Sequence, residues 1–127
     1  ARKTIINENE PLAFASIHVN SSKKSGARGI KIYYFPTSTE GKRLAESIAK
    51  SVDINLYGKF LKDDNLRAEV LPKDYFILRE TKYPGALVEI GFITNPEENK
   101  LLQDEGYKEK VAFAIKKGIV EYLKGSQ

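Results

Sequence analysis

The chain predicts an α/β layer fold, a largely parallel twisted sheet flanked by helices. Three observations carry that expectation. Short apolar runs of strand length recur along the 127 residues. Stretches with an apolar face of helical period lie between them, and Gly, Pro, Asn and Ser mark the boundaries. Strands alternating with helices favour parallel neighbours, because a helix is the usual crossover between parallel strands. With 41% hydrophobic residues, 1–127 is long enough to be a single domain with a real core.

Residues 1–11 are polar and read as a short helical or irregular lead-in ending at Pro11. Residues 12–20 form a first strand. Its odd positions Ala13, Ala15, Ile17 and Val19 are small or branched, whereas Phe14, Ser16, His18 and Asn20 turn polar toward the carboxyl end. Residues 21–29 are a loop by composition, and Ile30 to Phe35 form a second strand stopped by Pro36. Thr37 and Glu40 have the spacing of a capping box. The helix that follows carries Leu44, Ile48, Val52 and Leu56 on one stripe and frays near Tyr57-Gly58.

Residues 63–73 read as a polar loop, Tyr75 to Leu78 as a third strand, and Ala86 to Ile93 as a fourth, buried on both faces. Asn95-Pro96-Glu97-Glu98 is a helix start, with a capping Asn, Pro in the first turn and acids at the positive end of the dipole. Gly106 is expected to close that short helix. A last helix then places Val111, Ala114, Ile115, Gly118, Ile119 and Tyr122 on one face. No internal repeat or low-complexity tract interrupts this order.

Charge and composition narrow the function classes. The net charge of +4, from 21 Lys+Arg against 17 Asp+Glu, favours anionic partners such as cell-wall polymers. Basic and acidic residues interleave as on an ordinary solvated surface, so nucleic acid is not the expected partner. Lys23, Lys24 and Arg28 fall in the loop after His18, a run that reads as ordinary solvated surface, with attraction of an anionic polymer as the alternative. No apolar run approaches the ~20 residues of a membrane helix. No signal peptide is visible, and the absence of cysteine excludes disulfides and thiolate metal sites.

Two polar residues stand out against this frame. Glu89 is alone in the apolar run Ala86-Leu87-Val88-Glu89-Ile90-Gly91-Phe92, and an ionised carboxylate taken out of water needs a partner or a metal. His18, the sole histidine, sits near the end of the first strand. Ligands of α/β sheets gather beyond the carboxyl ends of the strands, so the topology lets these two meet. Each also has a plain structural reading. His18 can be a satisfied core histidine, and Glu89 a carboxylate paired with a cation such as Arg79. The pair Tyr33-Tyr34 reads as strand packing.

Three segments together resemble a known family: Ser16-Ile17-His18-Val19-Asn20, Gly29-Ile30-Lys31-Ile32-Tyr33-Tyr34, and Leu78-Arg79-Glu80-Thr81 followed by Pro84-Gly85-Ala86-Leu87-Val88-Glu89-Ile90-Gly91-Phe92-Ile93-Thr94-Asn95. They are similar to the zinc-dependent N-acetylmuramoyl-L-alanine amidases of type 3. Leu101, Tyr107, Ala114, Gly118-Ile119 and Tyr122 fit the family's last helices, so the likeness runs from about Arg2 to Leu123.

The resemblance implies a secreted, autolysin-type peptidoglycan hydrolase of the cell wall. Such an enzyme cuts the amide between N-acetylmuramic acid and the L-alanine of the stem peptide. It implies His18 as a zinc ligand and Glu89 as the catalytic glutamate. Arg79 matches a family position and is a substrate-binding candidate or a surface ion pair, and Asn20 is a substrate-binding candidate or the cap of a strand-end turn. The family's first histidine, in a His-Gly motif, and its ligand glutamate have no counterpart here. Glu8 and Glu10 do not occupy a matching context. The expectation is therefore a catalytic domain lacking its amino-terminal part, with an incomplete zinc site. Two alternatives stay open: a wall-binding or regulatory module that keeps the fold without the activity, and a zinc exopeptidase.

Overall fold

A computed structural model describes residues 12–24 and 26–125. The expected lead-in over residues 1–11, with Glu8 and Glu10, lies outside the described residues. The strands are β1 (Phe14–Asn20), β2 (Lys31–Tyr34), β3 (Glu69–Pro72) and β4 (Gly85–Phe92). The α-helices are α1 (Thr39–Ser51), α2 (Phe76–Arg79), α3 (Pro96–Leu102) and α4 (Glu105–Gly125). From Val52 to Gly58 α1 continues with π-helical hydrogen bonding, as in Lys59 N–H to the Ile54 carbonyl at 3.0 Å.

The four strands lie in the order β1-β4-β2-β3. The β1–β4 and β2–β3 pairs are parallel, the second because α1 and its π-helical continuation carry the chain across from β2 to β3. The central junction of β2 with β4 is antiparallel, so the sheet is mixed at its middle.

One face of the sheet, through Ile30, Ile32, Ala86 and Val88, packs on Leu44, Ala45, Ile48 and Val52 of the first helix and on Val111, Ala114 and Ile115 of α4. The two helices approach closely at Gly118, where a Cβ would stand 2.6 Å from Ile48 Cα. Two hydroxyls lock that contact: Ser47 Oγ donates to the Gly118 carbonyl at 2.7 Å, and Ser51 Oγ to the Ala114 carbonyl at 2.6 Å. Tyr33, Leu78 and Leu87 form a second, smaller cluster on the other face.

Four local expectations are corrected. The loop expected over 63–73 contains β3, whose Pro72 is tolerated because β3 is an edge strand. The strand expected from Tyr75 to Leu78 is instead the turn of helix α2; four apolar residues carry too little periodicity to separate the two. The cap of α1 is Ser38, whose Oγ accepts from Gly41 N–H at 2.9 Å, while Glu40 receives Arg43 and the Tyr122 hydroxyl. Gly106 does not end α3. Asp104 accepts from Tyr107 N–H at 2.8 Å and starts α4, so Gly106 lies within its first turn.

Asn95 behaves as expected, accepting from the Glu97 and Glu98 N–H groups at the start of α3. Glu98 itself is buried, and its two oxygens accept from Gly29 N–H and Phe92 N–H, both at 2.9 Å. That carboxylate ties the end of β4 to the loop that follows β1.

Candidate active site

Pairing of β1 with β4 sets Ser16 opposite Leu87 and His18 opposite Glu89. Side chains at matched positions of parallel strands rise from the same face, so the imidazole and the carboxylate share one. Lys31 and Tyr33 of β2, opposite Glu89 and Leu87, join them there. This is the face of the smaller apolar cluster, away from α1 and α4.

Beyond His18 the register slips, so that Asn20 faces Phe92 and β4 carries one residue more than β1. Gly91, at φ +156°, lies within this bulge, in a conformation that side chains other than hydrogen resist. Asn20 is held there twice. Its Oδ1 accepts from Ser21 N–H at 2.7 Å and its Nδ2 donates to Glu89 Oε2 at 2.7 Å.

Glu89 is only 7% exposed, but it is not isolated among apolar atoms. Besides Asn20, the Tyr75 hydroxyl donates to Oε1 at 3.3 Å, and the Tyr33 phenol lies near enough to feel the carboxylate's charge. Burial, then the nearby Glu89 charge, push the Tyr33 phenol up to about 12. Tyr33 therefore stays a donor at neutral pH. Neutral donors, rather than a paired cation, satisfy the acid.

His18 is half-buried, with Nε2 2.8 Å from Ser16 Oγ. When the proton is on Nε2, that contact leaves the Nδ1 lone pair available. Among the described residues no three His, Asp or Glu side chains come together as a metal site. His18 and Glu89 do not amount to a zinc-binding set by themselves.

The other sequence candidates lie farther out. Arg79 is bound on the surface by Asp74 at 2.9 Å and Glu80 at 3.4 Å, with its guanidinium over the Phe76 ring. Arg28 pairs with Glu97 at 3.3 Å, while Lys23 and Lys24 are exposed on the loop after β1.

Sequence reasoning missed Tyr75, which the strand expected there hid, and it read Tyr33 only as packing. The alternation in Ile30-Lys31-Ile32-Tyr33 put Tyr33 on the face opposite the main core. Only the register to β4 shows that Glu89 is on that side too.

Comparison with known proteins bears on this geometry. Residues 1–121 match the family described as N-acetylmuramoyl-L-alanine amidase. The germination-specific N-acetylmuramoyl-L-alanine amidase of Bacillus subtilis is 33% identical over 122 residues, covering 96% of this chain and 49% of that protein. The amidase LytC of the same organism is 34% identical over 113 residues, covering 87% of this chain and 21% of that protein. Among solved structures, the CwlD amidase of Clostridioides difficile, in complex with the GerS lipoprotein, superposes with a TM-score of 0.87 at 35% identity. That match covers 97% of this chain and 60% of CwlD. The chain thus spans about half the length, or less, of the curated relatives it matches.

Proposed function

The chain belongs to the N-acetylmuramoyl-L-alanine amidase family, and on that premise we propose that it carries the proton-transfer half of a peptidoglycan-cleaving site. The bond cut is the amide between N-acetylmuramic acid and the L-alanine of the stem peptide. One observation carries this reading: Glu89 is buried, satisfied by neutral donors, and placed directly across the strand pair from His18.

Glu89 is the catalytic residue. It takes a proton from water as the water oxygen bonds to the scissile carbonyl carbon. It returns that proton to the amide nitrogen as the C–N bond breaks, so that the amine leaves neutral. Asn20 on one oxygen and Tyr75 on the other fix the plane of the carboxylate, and each oxygen keeps a lone pair for the transfer. Asn20 is thus a positioning residue. Arg79, engaged by Asp74 and Glu80, would have to leave both to bind substrate, which favours a structural role.

His18 would supply one nitrogen to a zinc ion, oriented through Ser16 as ligating histidines are by their other ring nitrogen. A catalytic zinc takes three protein ligands, and the described residues do not provide them. The further donors belong, on this reading, to sequence outside these residues; the partial coverage of the relatives supports that. The expected location is the cell wall, with peptidoglycan as substrate and wall polymers near Lys23 and Lys24. Among the described residues, no helix is long and apolar enough to cross a membrane.

The test uses a protein spanning the relatives' full catalytic length, with bound zinc and products from purified peptidoglycan measured together. Release of stem peptides beginning with free L-alanine supports the reading. Release of single amino acids would mean an exopeptidase, and wall binding without products a non-catalytic module. Equal zinc content and cleavage by 1–127 alone would overturn the incomplete-site account.

A further inference from the structure

Lys73 follows the edge strand β3 directly, and its N–H donates to the Tyr34 carbonyl at 2.9 Å, which fixes the root of the side chain. Its ammonium stands 4.9 Å from the Tyr75 ring centroid and 5.6 Å from that of Tyr33. The two rings meet edge to face, 5.4 Å apart and inclined by 76°. Tyr75 carries its hydroxyl to Glu89 at 3.3 Å, and the Tyr33 phenol lies near the same carboxylate. Tyr75 therefore stands between the buried acid and an exposed cation, with the cation held against both rings.

Neighbouring cations differ from Lys73 in one respect. Lys31 is matched by Glu69 at 2.7 Å, and Arg79 by Asp74 and Glu80. Lys73 makes no ion pair with any carboxylate among the described residues, and its charge is supported by aromatic faces instead. A cation placed that way keeps its charge for a ligand and loses less side-chain freedom on binding.

We propose that Lys73 is the specificity residue for a substrate carboxylate, bound one residue beyond the L-alanine whose amide is cut. The inference rests on the amidase reading of Glu89. An acidic residue following L-alanine presents its free carboxylate about two residue lengths from the scissile bond, roughly 7 Å when extended. Tyr75 bridges the two, its hydroxyl 3.3 Å from Glu89 and its ring centroid 4.9 Å from the Lys73 ammonium. The ligand is thus an anionic stem peptide, and masking its carboxylate as an amide removes the contact.

The experiment compares two muramyl dipeptides, one with a free carboxylate on the residue after L-alanine and one with that group amidated. The protein is the full-length catalytic domain with its zinc, as wild type and as Lys73→Gln. The wild type is expected to prefer the free acid by about tenfold in kcat/KM, expressed in KM, and K73Q to reduce that preference to near one. Binding of the free-acid dipeptide to a Glu89→Gln protein should weaken by a similar factor when K73Q is added. An undiminished preference in K73Q, or an equal loss on both dipeptides, overturns the role of Lys73. Failure of the wild type to cleave either dipeptide overturns the amidase reading itself.

Discussion

His18 and Glu89 occupy matched positions of the parallel pair β1–β4, so that the imidazole and the carboxylate rise side by side from one face of the sheet. Two strands far apart in sequence are needed to make that pair. The same face gathers Tyr33 from β2 and Tyr75 from the segment before α2, and the Tyr75 hydroxyl donates to the acid.

Replacing Glu89 by Gln separates catalysis from stability. Asn20 Nδ2 and the Tyr75 hydroxyl donate to separate carboxylate oxygens, and glutamine has only one acceptor oxygen. The expected stability loss is on the order of 1 kcal/mol. Loss of the proton acceptor should reduce cleavage by roughly a hundredfold or more. Urea unfolding and product release from muropeptides check the two together. Large destabilisation with cleavage retained would make Glu89 a structural carboxylate.

Asn20→Ala removes the donor on Oε2 and leaves Tyr75 on Oε1. The carboxylate can then turn within its plane, so kcat should fall about tenfold with KM little changed. Asn20→Asp should be worse, because it sets a second carboxylate against the first. If the alanine variant keeps full kcat, the 2.7 Å hydrogen bond only ends the strand.

Gly118→Ala tests the seam between the helical layers. A Cβ there would lie 2.6 Å from Ile48 Cα and 3.0 Å from the Ser47 carbonyl oxygen, both backbone atoms that cannot rotate away. The helices must move apart, at a cost of about 1–3 kcal/mol, read as a lower urea midpoint. Unchanged stability would mean that the seam relaxes freely despite its two serine hydrogen bonds.

Much of this arrangement was legible in residue order because its signals are local. Leu44, Ile48 and Val52 announced the first helix, Asn95-Pro96 the start of α3, and Val111 to Tyr122 the buried face of α4. The edge strand β3 was hidden by Pro72, and the turn of α2 by four apolar residues that fit either period. Pairing was the harder part. That Glu89 has Asn20 and Tyr75 as partners, with Tyr33 on the same face, depends on strand register and on the bulge at Gly91. Neither leaves a mark in spacing along one chain.

Tyr57 is buried at the end of the π-helical segment, where its oxygen accepts from Ile30 N–H at 3.0 Å. Burial raises its phenol from the ordinary 10 to about 12, against a smaller downward pull from the Ile30 hydrogen bond. Below pH 10 the phenol is neutral in folded and unfolded chains alike, so its contribution is intact. As pH rises from 10 toward about 12, the unfolded chain ionises first and stability is lost, by on the order of 2–3 kcal/mol from this residue. Tyr33, also raised to about 12, adds to the loss in the same window. Tyr57→Phe should lower stability at pH 8, because Ile30 N–H loses its acceptor, yet fall less steeply between pH 10 and 12. Urea midpoints of both proteins at pH 8, 10 and 11.5 decide the matter. Parallel slopes would mean that the buried phenol does not govern the alkaline limit.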